Sequence, residues 1–321
     1  MLVTQTLAST HTLNFKDYMK KLLTMLLSLT LSLTAHSRES VTIAYSWAAS
    51  DPAANFDRAI INEANRIQDR FTFIFEAKPG AGGTVAANFA LTNANTVLAT
   101  SSAFFIRPNF YPNDSHDVDA FREIMPKCIV PALITSVKYN RWQDVPHDRY
   151  LTIGVSGLGT TTHLIAEQLR LRYPNIQVIP FKSTSESLVN MLTGQIDLSV
   201  NFIGDVESWV RENHTKKTVN ILGVTGTQTF ENVPTLISQG FSPNLAFMSP
   251  PHQYLVSARL DQGRFQELRS ILTKAANSPR VRAAYYIDRC QPITVKDTQL
   301  DQYYRDQITK WKKFSAGVKI N

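Results

Sequence analysis

Phe71-Thr72-Phe73-Ile74-Phe75, then Lys78-Pro79-Gly80-Ala81-Gly82-Gly83-Thr84, then Val85-Ala86-Ala87-Asn88-Phe89-Ala90-Leu91 read as a strand, a glycine loop and a helix in direct succession. Glycines let backbone approach a ligand closely and reach positive φ. The first turn of the helix offers N–H groups without intrahelical partners and the positive end of the helix dipole. No lysine stands where a Walker loop needs one, and GxGxxG is absent. The loop therefore fits a small anion such as a carboxylate, not a nucleotide. A tight turn with no ligand is the other reading of the same residues.

Outward from this unit, strand-like and helix-like runs alternate. Val41–Tyr45 and Thr96–Thr100 read as strands, and Phe56–Ile67 and Thr84–Ala94 as helices. Thr152–Val155 precedes a second loop, Ser156-Gly157-Leu158-Gly159, and Thr160-Thr161-Thr162 opens a helix. Gln177–Pro180, Leu198–Phe202 and Asn220–Val224 are further strands, and two amphipathic helices close the chain. This rhythm predicts an α/β fold with largely parallel sheets. Two stretches look like crossings between lobes: Cys128–Val137, and Ala246–Val256 with its Pro250-Pro251. The expected division is 1–37 as N-terminal extension and signal peptide, 38–137 plus 250–321 as one lobe, and 138–249 as the other.

The N-terminus states where the chain works. Met19-Lys20-Lys21 is a charged start, Leu22–Leu33 is apolar, and Ala35-His36-Ser37 ends in small residues. That is the layout of a secretory signal peptide around Met19–Ser37, too short for a stable membrane span. It predicts a periplasmic, soluble protein. With 33 Lys and Arg against 26 Asp and Glu, the chain carries a net charge of +7. Beyond the signal peptide its basic residues are scattered, the only small runs being Lys216-Lys217 and Lys310 to Lys313. A nucleic-acid partner is not expected, since that needs a basic stripe with interleaved aromatics. Cys128 and Cys290 are the two cysteines. In an oxidising compartment they either pair or stay as two buried thiols.

Ligands of open α/β sheets bind outside the carboxyl ends of strands. The loops there are Ser46–Ala54, Lys78–Thr84, Ser101–Arg107, Ser156–Thr162 and Ile203–Asp205. From them come the candidate ligand-binding residues Trp47, Ala48, Ser50, Asp51, Gly83, Thr84, Ser101, Ser102, Thr160, Thr161, Thr162 and Asp205. Threonine and serine hydroxyls either bind a carboxylate oxygen or only cap their helix. Asp51 and Asp205 either take a cationic group such as an ammonium or face solvent. Trp47 forms an apolar wall or only packs its loop. His163 and Glu167 share a helix face, but no third metal ligand is evident and HExxH is absent, so no metal is expected. Gly154-Val155-Ser156-Gly157 is not GxSxG, so a Ser-His-Asp hydrolase has little support. No catalytic residue and no cofactor are expected.

Five blocks in order resemble one family, the Bug family, periplasmic solute receptors of tripartite tricarboxylate transporters. Lys78–Thr84 is similar to its glycine loop, and Gly157–Leu164 with Ala166-Glu167 to its "G-GT--HL-AE" motif. Ile179-Pro180-Phe181-Lys182, with Leu188 and Leu192-Thr193-Gly194-Gln195-Ile196-Asp197, resembles "VPYKG…L…L-GGQ-D". Val233-Pro234-Thr235-Leu236 with Gly240, and Lys310-Trp311-Lys312 with Gly317-Val318-Lys319-Ile320, resemble the last two. The resemblance spans about residues 41 to 321. It implies a type II periplasmic-binding-protein fold, two lobes joined by a hinge with a ligand cleft between them. It further implies a monomeric receptor that closes on a small carboxylate (a di- or tricarboxylate, an amino acid or a related acid) and delivers it to membrane permease subunits. A ligand sensor docking a sensor-kinase ectodomain, or an enzyme on the same bilobed fold, are the alternatives. The carboxylate-holding role carries over to Gly83, Thr84 and Thr160 to Thr162. The chain departs from the family in its first loop, where Ser50-Asp51 replaces the usual glycine pair.

Overall fold

The structure, a computed structural model, describes residues 19–20, 38–207, 219–287 and 290–318. The signal-peptide reading lies almost wholly outside the described residues, as do Lys216-Lys217 and Lys319-Ile320. Residues from Ser40 onward form one compact unit built on two sheets.

The first sheet has the strand order β11-β4-β10-β3-β1-β2. Its strands are β1 (Glu39–Tyr45), β2 (Phe71–Ala77), β3 (Thr96–Thr100), β4 (Phe121–Ile129), β10 (Pro251–Ser257) and β11 (Gln291–Pro292). The second has the order β7-β6-β8-β5-β9, from β5 (Ala132–Ser136), β6 (Leu151–Val155), β7 (Ile176–Pro180), β8 (Leu198–Phe202) and β9 (Asn220–Val224). Helices cover both faces: α1 (Ala54–Ile67), α2 (Thr84–Thr92), α3 (Ala103–Phe110), α4 (Thr161–Arg170), α5 (Thr184–Leu192), α6 (Gln262–Ala276), α7 (Pro279–Ile287) and α8 (Leu300–Ser315).

Side chains alternate between two apolar cores, as strand geometry requires. In β3, Val97 and Ala99 join one core and Leu98 the other; in β10, Tyr254 and Val256 join the first and Leu255 the second. Each core runs through both sheets, so the layers are continuous from one lobe to the other. Gly154 has no freedom to be larger: a Cβ there would lie 2.1 Å from Ser187 Oγ on α5.

Two features differ from the expected layout. The sheets are mixed, not largely parallel. β1 and β3 run parallel, as do β7, β6 and β8, but β10 is antiparallel to β3 and β4, and β5 to β8 and β9. Both crossing strands, β5 and β10, are antiparallel, because a chain that enters a sheet from its neighbour arrives against the prevailing direction; the short β11 also runs antiparallel to β4. The first crossing also falls earlier than expected. Ala132–Ser136 was expected in the first lobe, yet its hydrogen bonds are all to the second sheet. The apolar run Cys128–Val137 is two strands split at Val130-Pro131. The two crossings touch: the Val130 N–H donates to the Pro250 carbonyl at 3.4 Å, and the Ala132 N–H to Thr225 Oγ1 at 2.9 Å.

Cys128 and Cys290 form a disulfide, with Cα atoms 5.5 Å apart. It ties β4 to the segment leading into β11, whose Pro292 lies opposite Cys128. Beside it, Lys127 Nζ meets Asp57 Oδ1 of α1 at 2.6 Å, with both side chains out of solvent. Burial pulls the Lys127 ammonium down from its ordinary range, while Asp57 pulls it back up.

Candidate functional site

A cleft of about 790 Å³ opens between the two sheets, and the five loops singled out above contribute to its lining. From the first sheet come Ser46 to Ala48, Ser50 to Ala53, Pro79 to Gly83, Ser101 and Arg107; from the second come Ser156 to Leu158, Thr160 to Thr162, Phe181 to Ser185, and Asp205. The crossing residues Val130 and Pro250 also line it.

Of the expected residues, Trp47, Ala48, Ser50, Asp51, Gly83, Ser101, Thr160, Thr161, Thr162 and Asp205 line the cleft. Thr84 and Ser102 do not. The Thr84 hydroxyl turns the other way, to His116 Nδ1 at 3.1 Å. That imidazole stacks on Phe104, and burial pushes its pKa down to about 4. Ser102 meets Thr161 Oγ1 at 2.5 Å. This is a hydrogen bond across the cleft mouth, from the turn after β3 to the start of α4.

The glycine loop differs in detail from a row of free donors. Ala81–Gly83 is a turn of 3₁₀ helix in which the Gly83 N–H donates to Gly80 and the Thr84 N–H to Ala81. Gly82 and Gly83 take positive φ, 59° and 99°. A Cβ on Gly83 would sit 3.4 Å from Ser46 Oγ. The donors lie opposite. Thr160 caps α4, and its Oγ1 accepts from the His163 N–H. Thr162 Oγ1 accepts from the Ser156 N–H at 2.9 Å. The N–H groups of Thr161 and Thr162, in the first turn of a ten-residue helix, have no partner along the helix and point out of its end. In the same lining, on the side of the first lobe, Ser46 is 1% exposed and its Oγ has no hydrogen-bond partner. Sequence reading named its loop but not this serine.

Arg107 lines the cleft with its side chain 11% exposed. Its guanidinium lies over the Tyr111 ring at 4.3 Å, reaches Asp114 at 3.4 Å and presses on Gly82. Trp47 lines the cleft and packs edge-on against Tyr45 of β1 at 5.4 Å. Arg58 holds the first loop from behind, donating to the Ala49 carbonyl at 2.6 Å.

The acidic end of the cleft is made by Asp51 and Asp205. Asp51 Oδ1 accepts from the Ala53 N–H at 2.8 Å. Asp205 accepts from the Phe202 N–H at 3.0 Å and from Ser185 Oγ at 3.3 Å. Burial and then the charge of Asp205 raise the Asp51 carboxyl to about 7, while the Ala53 amide and the Tyr45 hydroxyl work against the rise. Burial raises Asp205 as well. His252, at the cleft floor, is pushed down to about 3 by burial and by Lys127.

The sign of the pH effect follows. Below its unfolded value of 3.8, Asp51 is protonated in both states. Between there and about 7, only the folded, closed protein holds the proton, so stability falls as pH rises through that window. Cleft opening relieves part of it, so we expect about 1–2 kcal/mol lost from pH 5 to pH 8 without ligand. Melting curves at both pH values should show this loss, and Asp51→Asn should remove it. An Asp51→Asn protein with the same pH slope as the parent would rule Asp51 out as its source.

His163 braces the second loop: its Nδ1 takes the Gly159 N–H at 3.2 Å, and its Nε2 lies 3.6 Å from Glu167 Oε1. Among the described residues no group of His, Cys, Asp and Glu is placed to hold a metal ion, and no helix is long and apolar enough to cross a membrane.

Two mixed sheets joined by paired crossings, with a cleft lined from both, define a two-lobed binding protein of the periplasmic type. The chain belongs to the tripartite tricarboxylate transporter family receptors, whose family model matches residues 59–318. Among solved structures it is similar to the periplasmic binding protein BugD, at 18% identity over 88% of this chain and 98% of that one, TM-score 0.76. It is similar also to MatC from Rhodopseudomonas palustris with bound malate, at 17% identity over 86% and 99%, TM-score 0.72. An R. palustris protein with adipate matches at 16% identity over 87% and 97%, TM-score 0.74. At these identities the likeness is one of fold. A comparison with curated proteins finds no match.

Proposed function

We propose that this chain is an extracytoplasmic solute-binding protein that captures a small carboxylate by cleft closure and delivers it to a tripartite tricarboxylate-type permease. The observation that carries the reading is that one cleft is lined both by the start of α4, where the first-turn N–H groups of Thr161 and Thr162 have no partner along the helix, and by the buried, unpartnered hydroxyl of Ser46 from the other lobe. A buried hydroxyl without a partner costs about 1–3 kcal/mol, and a carboxylate oxygen between Ser46 and the α4 N-terminus would satisfy both sides. Arg107 adds a guanidinium beside the glycine loop. The malate and adipate held by two relatives of the same fold support the class of ligand. The chemistry is capture and release, with no bond made or broken. The working place is the periplasm, reached through the signal peptide, and the receptor acts as a monomer. The lobes run over about 38–130 plus 251–318, and about 132–249, in line with the strand pairing.

Closure supplies the signal. A ligand that binds the closed state more tightly than the open one shifts the population toward it. Thermal melting of protein stripped of ligand by unfolding and refolding tests this against malate, succinate, glutarate, adipate, citrate, glutamate and 5-aminovalerate. At 100 times its dissociation constant a ligand should stabilise by about 2.7 kcal/mol. A clear shift with members of this panel is the expected result, and none with any of them would refute carboxylate capture.

A further inference from the structure

The cleft is polarised. At the glycine-loop end stands Arg107, pressed against Gly82, with the unpartnered Ser46 hydroxyl beside Gly83. At the other end stand two carboxylates from opposite lobes: Asp51 in the loop after β1, and Asp205 just after β8. Their loops meet across the cleft, where a Cβ on Gly204 would lie 3.5 Å from Pro52.

Neither acid has a cation. Among the described residues no lysine, arginine or histidine forms an ion pair with Asp51 or Asp205, and the strongest charges acting on Asp51 are the two acids Asp205 and Asp57. Arg107 is spoken for by Asp114 and Tyr111. Lys182, the other cation of the lining, is exposed. Closing the lobes therefore drives two like charges together in a site shielded from water. Such a pair stays apart, takes up a proton or takes up a cation.

We propose that the ligand carries an ammonium group seated between Asp51 and Asp205, with its carboxylate toward Ser46, Arg107 and the start of α4. This inference rests on the receptor reading above and names the ligand class: an amino-carboxylate. The ammonium is what makes closure favourable, because it meets both acids only when the lobes are shut. An amine-free diacid of the same length brings a second negative charge to the acidic end and is rejected. Burial first, and the charge of Asp205 second, raise the Asp51 carboxyl in the empty cleft. Ser50-Asp51, where glycines are usual in the resembling family, supplies the acid that makes the difference.

The test is calorimetric titration at pH 8 of the refolded protein with five-carbon probes, one adding an amine to glutarate and one exchanging a carboxylate for an aminomethyl group. Glutarate is compared with L-glutamate and with 5-aminovalerate. The expected result is at least tenfold tighter binding of an amine-bearing member. Asp51→Asn should bring the ratio to within about twofold, chiefly by weakening the amine-bearing probe. Asp205→Asn should do the same, and guards against one variant failing to fold. Equal binding of glutarate and its amine partners by the unaltered protein would overturn the inference while leaving carboxylate capture intact. An undiminished ratio in both folded variants would overturn it also. If none of the three probes binds while malate or citrate does, the inference falls and the receptor reading survives. If no carboxylate binds at all, both fall.

Discussion

Replacing Lys127 with methionine should cost about 3–5 kcal/mol of stability, the expected price of leaving a buried charge alone. Lys127 Nζ and Asp57 Oδ1 are 2.6 Å apart, with side chains 1% and 0% exposed. The lysine also lies over the Tyr254 ring at 4.4 Å. Methionine fills much of the same space but leaves the Asp57 carboxylate in an apolar layer with no counter-charge. Asp57 opens α1, directly behind the loop that presents Ser46 to Asp51, so the pair fixes that loop to β4. Chemical denaturation should show the loss as a lower midpoint with an unchanged slope. The double variant Lys127→Met, Asp57→Leu separates charge from packing. If the penalty is the orphaned charge, the double variant should recover most of it. A double variant as unstable as the single one would show that the pair acts through shape alone.

The second large effect concerns closure. Gly159, in the second-lobe loop, has φ 71°, and a Cβ on it would lie 3.2 Å from Tyr111 Cε2 and 3.6 Å from Phe110 of the first lobe. Gly159→Leu should weaken ligand binding by about 100-fold, the equivalent of nearly 3 kcal/mol at the upper end of overpacking costs. The side chain would collide with the Tyr111 and Phe110 rings in the arrangement seen here, and separation of the lobes would relieve the clash. The left-handed backbone strain is common to both states and cancels from the affinity. Gly194→Leu is the control: Gly194 has φ 83°, but a Cβ there meets nothing within 4 Å. It should lose stability and keep its affinity. Equal affinities for the two variants, measured by titration with whichever carboxylate gives the largest melting shift, would contradict the closed geometry.

Much of the site was legible because its chemistry is local. A strand followed by glycines and a helix start can be read from consecutive residues, and both Lys78–Thr84 and Ser156–Thr162 were. Asp51 and Asp205 were legible as acids in cleft loops. Their opposition across the cleft was not, because it depends on how two lobes meet. Thr84 and Ser102 were misplaced for a similar reason: each is at the right position in its loop, but side-chain direction is set by His116 in one case and Thr161 in the other. Nothing in the sequence set Arg107 apart as a cleft residue; the turn of α3 directs it against Gly82 while it pairs with Asp114. The β4–β5 break was hidden in a continuous apolar run, where periodicity alone cannot show that the chain changes sheets. Lys127 gave no signal at all, since its partner lies 70 residues away.

Spin labels on Ile74 and Val189, two exposed side chains that belong to the first and second lobes, test the central claim most directly. Pulsed dipolar distances are measured on refolded protein without ligand and with malate, glutarate or L-glutamate in excess. The expected result is a single distance population with the bound carboxylate, reached from a broader or displaced population in its absence. An identical distance distribution with and without a carboxylate that binds by calorimetry would contradict capture by closure.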